Sequence, residues 1–306
     1  MDDLAAAVAA RGNAVCVGLD PRWEQLPWPI TTGRDDAPSG RADAYLDFCC
    51  GVIDVVAPLV PVVKPQAAFF EEQGPAGMAA LAEVIRYAQD RGLLVILDGK
   101  RNDIGSTAEA YARGLLGRGT SAWGADALTV SPYLGEDSLA PFVAVARQRR
   151  AGLFVLVKTS NPGGGVLQDL EVVESTERAG ASRPRRLYHH VAELVERLSS
   201  DTKGASGYGL AGAVVAATYP EQLAQLRAAM PHSWFLVPGF GAQGGAARDV
   251  APAFDAARLG AVVNNSRGII FAHARKEYAE RFGEQQWQRA VEAATLDMIA
   301  ELNAAT

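Results

Sequence analysis

Short runs of aliphatic and β-branched residues alternate along this chain with longer segments whose apolar residues recur at helical spacing. Eight runs stand out: 14–19 (AVCVGL), 60–64 (VPVVK), 93–97 (LLVIL), 125–130 (ADALTV), 153–157 (LFVLV), 210–216 (LAGAVVA), 234–237 (WFLV) and 258–263 (RLGAVV). Segments 43–57, 76–91, 134–149, 184–199, 219–229 and 284–303 carry the helical period between or after them. The second, third and fifth runs are too continuously apolar for a sheet with one wet face, so they predict buried parallel strands. Eight strands, each followed by a helix, predict an α/β fold: a single (β/α)8 TIM barrel over residues 1–306 rather than an open doubly wound sheet. Two stretches exceed a minimal barrel. Residues 21–42, rich in Pro, Gly and Asp, read as a loop after the first strand, and residues 161–183, opening Asn161-Pro162-Gly163-Gly164-Gly165, read as an insertion after the fifth.

Composition narrows the class. Of 306 residues, 49% are hydrophobic and 21% charged, the balance of a chain that builds a large core. Lys and Arg number 29 against 35 Asp and Glu, a net charge of −6, and no basic stretch is dense enough to expect a nucleic-acid partner. The start, Met1-Asp2-Asp3-Leu4, is acidic where a secretory signal would be positive. The longest apolar candidate for a membrane span, Val52 to Val63, is broken by Asp54, Pro58 and Pro61. Three cysteines (Cys16, Cys49, Cys50) make no disulfide framework, so a reducing, cytoplasmic location is expected.

Chemistry in such a barrel gathers at the C-terminal strand ends. In order these present Asp20, Lys64, then Asp98, Lys100 and Asp103, then Ser131, Lys158 with Ser160, Thr218, Gly239 to Gly245, and Asn264 to Arg267. Charge concentrates in the first three and the last. Asp98 and Lys100 are two apart on an extended end and should both face the mouth, with Lys64 within reach. Two lysines alternating with two aspartates bias one another's protonation, as a catalytic array requires; a salt-bridge network closing the barrel would show the same pattern.

The run Asp98-Gly99-Lys100-Arg101-Asn102-Asp103-Ile104-Gly105-Ser106-Thr107 resembles the Asp-x-Lys-x-x-Asp signature of the orotidine 5′-phosphate decarboxylase family, in its longer-chain variant with Lys-Arg. Val17-Gly18-Leu19-Asp20-Pro21 resembles that family's first strand and Val63-Lys64-Pro65 its second. Lys158-Thr159-Ser160-Asn161-Pro162 resembles the start of its pyrimidine-side loop, and Pro238-Gly239-Phe240-Gly241-Ala242-Gln243-Gly244-Gly245 its phosphate loop. The matches run from residue 15 to 268. The resemblance implies cofactor-free, metal-free decarboxylation of orotidine 5′-monophosphate to UMP, the last step of de novo pyrimidine nucleotide synthesis. It implies that Lys100 protonates C6, that Asp98 and Asp103 fix the lysines, and that Lys64 bonds to the ribose and the charged network. Asp20 then holds a ribose hydroxyl, Ser160 and Gln243 contact the pyrimidine, and Gly239, Gly241, Gln243 and Arg267 surround the phosphate. It further implies a homodimer, in which Asp103 and Thr107 serve the partner's site. Asn264-Asn265-Ser266 departs from the family's commoner Gly before Arg.

Other readings compete. Gly239-Phe240-Gly241-Ala242-Gln243-Gly244 spells the dinucleotide fingerprint, but in the seventh strand–helix unit and without a downstream acidic residue for a ribose, so a barrel phosphate loop is expected instead. Lys158 ends a strand as a Schiff-base aldolase would need. A magnesium-dependent decarboxylase of 3-keto-gulonate 6-phosphate shares the barrel and motif, but places an acidic metal ligand where this chain has Lys64. A phosphate-ligand sensor on the same barrel would have no use for Lys100. His189, His190, His232 and His273 lack metal-ligand spacing, and Cys49-Cys50 read as packing residues.

Overall fold

The computed structural model describes residues 1–119, 121–173, 184–240 and 247–306. Eight parallel strands close into a barrel: β1 (Val15–Leu19), β2 (Val62–Pro65), β3 (Leu94–Arg101), β4 (Ala127–Val130), β5 (Gly152–Lys158), β6 (Ala211–Val215), β7 (Phe235–Val237) and β8 (Ala261–Asn265). Each pairs with its neighbours in chain order, and β1 closes the ring on β8 with Val15 opposite Val263 and Val17 opposite Asn265. Every residue of β1, β2, β4 and β6 is buried, because helices cover the outside and side chains fill the inside. That two-sided burial is why the strands read as apolar runs.

The connecting helices include Pro38–Val56 after β1, Gly74–Asp90 after β2, Gly105–Leu115 after β3, Glu136–Arg149 after β4, Leu187–Ser200 after β5 and Pro220–Ala229 after β6. The C-terminal helix Trp287–Ala305 packs on Pro38–Val56. Its Trp287 ring lies 5.1 Å from the Phe48 ring, and a methyl at Gly51 would stand only 2.6 Å from the same indole. Glycine at 51 therefore permits the close helix–helix approach. An N-terminal helix, Asp2–Arg11, precedes β1 and stops at left-handed Gly12 (φ 63°).

The stretch expected as a loop over 21–42 is partly helical. It holds a 3₁₀ turn at Trp23–Gln25 and a helical turn at Trp28–Thr31, and the long helix starts at Pro38, the favoured first-turn position for proline. The segment after β5 folds back on itself: Glu171–Val172 pairs antiparallel with Arg185–Arg186. Residues 174–183 of that insertion lie outside the described residues.

Candidate active site

β3 is not a regular strand where its charges sit. Its pairing with β4 shifts register between Leu97 and Arg101, and Lys100 adopts φ 45°, left-handed and uncommon for a residue with a side chain. Such a conformation costs on the order of 1–3 kcal/mol and persists only where surroundings hold it. The surroundings here are specific. The Lys100 backbone N–H donates to Thr129 Oγ1 at 2.9 Å, and Thr129 Oγ1 donates to Asp98 Oδ1 at 2.9 Å. The bulge corrects the expectation of a plain extended end, yet both side chains still reach the mouth.

Asp98 is the hub. Its Oδ2 accepts from Lys64 Nζ at 2.8 Å and its Oδ1 from Lys100 Nζ at 2.6 Å, besides Thr129. Asp98 and Lys64 are buried, whereas the Lys100 side chain stays 48% exposed. Burial alone would push the Asp98 carboxyl up; the charges of Lys64 and Lys100 and the bonds they donate outweigh it and hold the group well below the usual carboxylate range. Burial likewise opposes the Lys64 ammonium, and the charges of Asp98 and Asp20 carry it above the usual lysine range. The Cys16 thiol behind them is pushed up to about 12 by burial, so it remains an S–H, which donates to Asn264 Oδ1 at 3.7 Å.

Asp20, Lys64, Asp98, Lys100 and Ser160 line one cavity of about 580 Å³, together with Gln66, Thr129, Leu167, Pro238 and Asn264. One carboxylate oxygen of Asp20, Oδ1, is buried and has no hydrogen-bond partner among the described residues. Such an acceptor suits a ligand hydroxyl. The motif's other members lie elsewhere. Asp103 is absent from the described residues lining the cavity, and its Oδ1 accepts the Ile104 N–H at 2.8 Å. Thr107 is exposed on the helix Gly105–Leu115.

Toward the phosphate end, Gly239 follows the cavity wall at Pro238 with φ 98°, a turn that glycine alone makes without strain. Arg267 opens the short helix Arg267–Ile270 beyond β8 with its side chain exposed. Gly241 and Gln243 lie outside the described residues. Lys158 does not face the cavity. Its side chain is 1% exposed and absent from the cavity lining, and its Nζ is held 2.7 Å from Asp169 Oδ1, so the geometry gives no support to a Schiff-base role there. Thr129 went unnoticed in the sequence, although it is the one hydroxyl in a run of aliphatic residues ending β4. Among the described residues no three His, Cys, Asp or Glu side chains gather as metal ligands, and no helix is long and apolar enough to cross a membrane.

A (β/α)8 barrel whose mouth carries a lysine–carboxylate–lysine array lining a cavity of about 580 Å³ defines a class: barrel enzymes with a charged site at the C-terminal strand ends. Residues 13–282 match the model of the orotidine 5′-phosphate decarboxylase / HUMPS family, and the chain belongs to that family. An orotidine 5′-phosphate decarboxylase of Rhodopirellula baltica is 59% identical over 306 residues, covering 98% of this chain and 97% of that protein. One from Deinococcus radiodurans is 44% identical over 264 residues, 86% of each. The solved structure of the Leishmania donovani OMP decarboxylase superimposes with a TM-score of 0.72 at 34% identity, covering 99% of this chain and 98% of that one.

Proposed function

We propose that this chain decarboxylates orotidine 5′-monophosphate to UMP with no metal or organic cofactor, and that Lys100 supplies the proton. The carrying observation is the Lys100 ammonium, fixed 2.6 Å from Asp98 at the cavity mouth with half its side-chain surface open. Breaking the C6–carboxylate bond releases carbon dioxide and leaves its electron pair on C6, where no resonance sink exists. A fixed ammonium stabilises that charge as it grows, then transfers a proton to C6 and becomes a neutral amine. Asp98 and Lys64 need not move, so little reorganisation accompanies the step.

The roles proposed for the remaining residues are those that the family resemblance implies, supported for Asp20, Lys64 and Ser160 by their place on the cavity lining. Asp20, with its unpartnered oxygen, accepts a ribose hydroxyl; Lys64 also borders the ribose; Ser160 faces the pyrimidine. Arg267, with Gly239, Gly241 and Gln243, holds the phosphate, whose binding energy orders the site around the reacting ring. The donor set favours this reading over the magnesium-dependent one: Asp98 is already occupied by two ammonium groups and a hydroxyl, and Lys64 adds a positive charge where a cation would need a carboxylate.

A homodimer with shared sites accounts for Asp103 and Thr107. Beside them the surface exposes Ile104 (57%) and Tyr111, apolar groups that a partner subunit would cover. The three unpaired cysteines suit a cytoplasmic setting. The test is the loss of orotidine 5′-monophosphate absorbance on adding purified, metal-stripped protein. Turnover unchanged by EDTA supports the reading; activity that vanishes with EDTA and returns with magnesium would overturn it.

A further inference from the structure

Lys158 ends β5 but points away from the cavity, and nothing in the proposed chemistry uses it. Its buried ammonium lies 2.7 Å from Asp169 Oδ1 and within 5.3 and 5.1 Å of the Tyr188 and Tyr219 ring centres. Tyr188 belongs to the helix after β5 and Tyr219 to the turn after β6, so the lysine is seated on fixed parts of the barrel. Asp169 belongs to the loop, and Arg186 on the returning strand is its second cation at 3.6 Å.

A second clamp lies one residue inside the first. The Thr159 N–H donates to Gln168 Oε1 at 3.1 Å, and Gln168 Nε2 donates to Thr159 Oγ1 at 2.8 Å. Residues 158–169 thus form a loop pinned at its neck by an ion pair and a reciprocal amide–threonine contact. Its inner side presents Ser160, Asn161 and Leu167 to the cavity, whereas Val166 on it is 75% exposed. No residue of 161–170 is buried, so the loop is held by these neck contacts together with the Glu171–Val172 and Arg185–Arg186 pairing just beyond them.

We propose that Lys158 is a positioning residue: through Asp169 it holds residues 159–168 in the arrangement that walls one side of the cavity, and so sets substrate affinity. The inference rests on the proposed reaction. When only a fraction of molecules hold the competent loop, apparent affinity falls by that fraction, while saturating substrate restores it and leaves the chemical step alone. The signature is a rise in KM at nearly constant kcat.

The experiment measures kcat and KM for orotidine 5′-monophosphate, Kd for UMP by calorimetry, and melting temperature. The variants are Asp169→Asn, Asp169→Glu and Lys158→Met. Asp169 is 36% exposed, so Asp169→Asn tests the clamp even where Lys158→Met is poorly folded. Asp169→Asn should raise KM and the UMP Kd by about tenfold or more with kcat within about threefold, and Asp169→Glu, which keeps the charge, should recover most of that affinity. Unmoved KM in Asp169→Asn would overturn the proposal. So would a fall in kcat at constant KM, or a collapse of melting temperature with both constants lost and no recovery in Asp169→Glu. Wild-type turnover in the same assay is the control: its absence counts against the proposed reaction, whereas normal wild-type turnover with unmoved variants counts against the clamp alone.

Discussion

The backbone amide of Lys100 rests on the hydroxyl of Thr129, 2.9 Å away across the β3–β4 seam. The same hydroxyl donates a hydrogen bond to Asp98, so one buried side chain fixes both the strained backbone that aims the lysine and the carboxylate that accepts from its ammonium. A left-handed lysine between two strands would otherwise relax toward the extended conformation and carry Nζ with it.

Thr129→Val keeps the shape and removes the hydroxyl. It leaves the Lys100 N–H without its acceptor and Asp98 with one donor fewer, a loss worth about 1–3 kcal/mol. Expressed as misplacement of the lysine, that is roughly ten- to a hundredfold in kcat, since each 1.4 kcal/mol is a factor of about ten. Thr129→Ser, which keeps both bonds, should stay near wild type. Steady-state kinetics on the pair decide it: a valine variant as active as the serine one removes Thr129 from the machinery.

Lys100→Ala should abolish nearly all turnover and spare the fold. The side chain is half exposed, and Asp98 keeps Lys64 and Thr129 as partners, so melting temperature should shift little. The catalytic loss should be at least the roughly 10²–10⁴-fold that a general acid contributes, and more if the ammonium also stabilises the carbanion. A well-folded variant keeping more than about a tenth of wild-type kcat would contradict the assignment.

The charged pair also makes a pH prediction. Asp98 is held below its unfolded value of about 3.9, so its contribution to stability is present above that pH and lost as pH falls toward the folded value. Lys64 is held above its unfolded value of about 10.4, so its contribution is present below that pH and lost as pH rises through the folded value. Both describe one interaction. The melting-temperature gap between wild type and Asp98→Asn, which strands a buried ammonium, should therefore stay nearly constant from about pH 5 to 9 and narrow outside that window, below about pH 4 and above about pH 10. A gap that closes already between pH 6 and 7 would show that Asp98 is not held ionised.

Much of the barrel was legible because its strands are buried on both faces; each of the eight runs contains or overlaps a strand of the ring. Among the helices that escaped notice, Asp2–Arg11 buries only Leu4, Ala5 and Val8, and Gly105–Leu115 only Ala108, Ala112 and Leu115, which give a faint helical period. Pro38 and Gly40 disguised the first turn of a helix as loop, although Gly40 lies where any side chain would strike Asp35. At the site, Asp98, Lys100 and Lys64 could be read because strand ends of a barrel converge. Thr129 could not, because its partners lie 29 and 31 residues away and meet it only through the shifted register of β3. Lys158 shows the converse: its strand-end position fitted a Schiff base, and its burial against Asp169 was invisible in one dimension.

The same strand end that aims Lys100 into the cavity carries Asp103 past it, onto a surface that exposes Ile104 and Tyr111. If Asp103 serves a neighbouring subunit, two inactive chains should repair one another. Lys100→Ala and Asp103→Ala chains, unfolded and refolded together in equal amounts, pair at random, so half the dimers are mixed. In a mixed dimer sharing residues across a two-fold axis, one site carries both lesions and the other neither, so about a quarter of all sites are intact. If Asp103 acts within its own chain, every site carries one lesion and mixing restores nothing. The readout is kcat per total site against each variant refolded alone, with subunit exchange shown separately by mass spectrometry of differently tagged chains. Recovery toward a quarter of wild-type activity supports the shared site, and activity no higher than the controls in demonstrably mixed dimers rejects it.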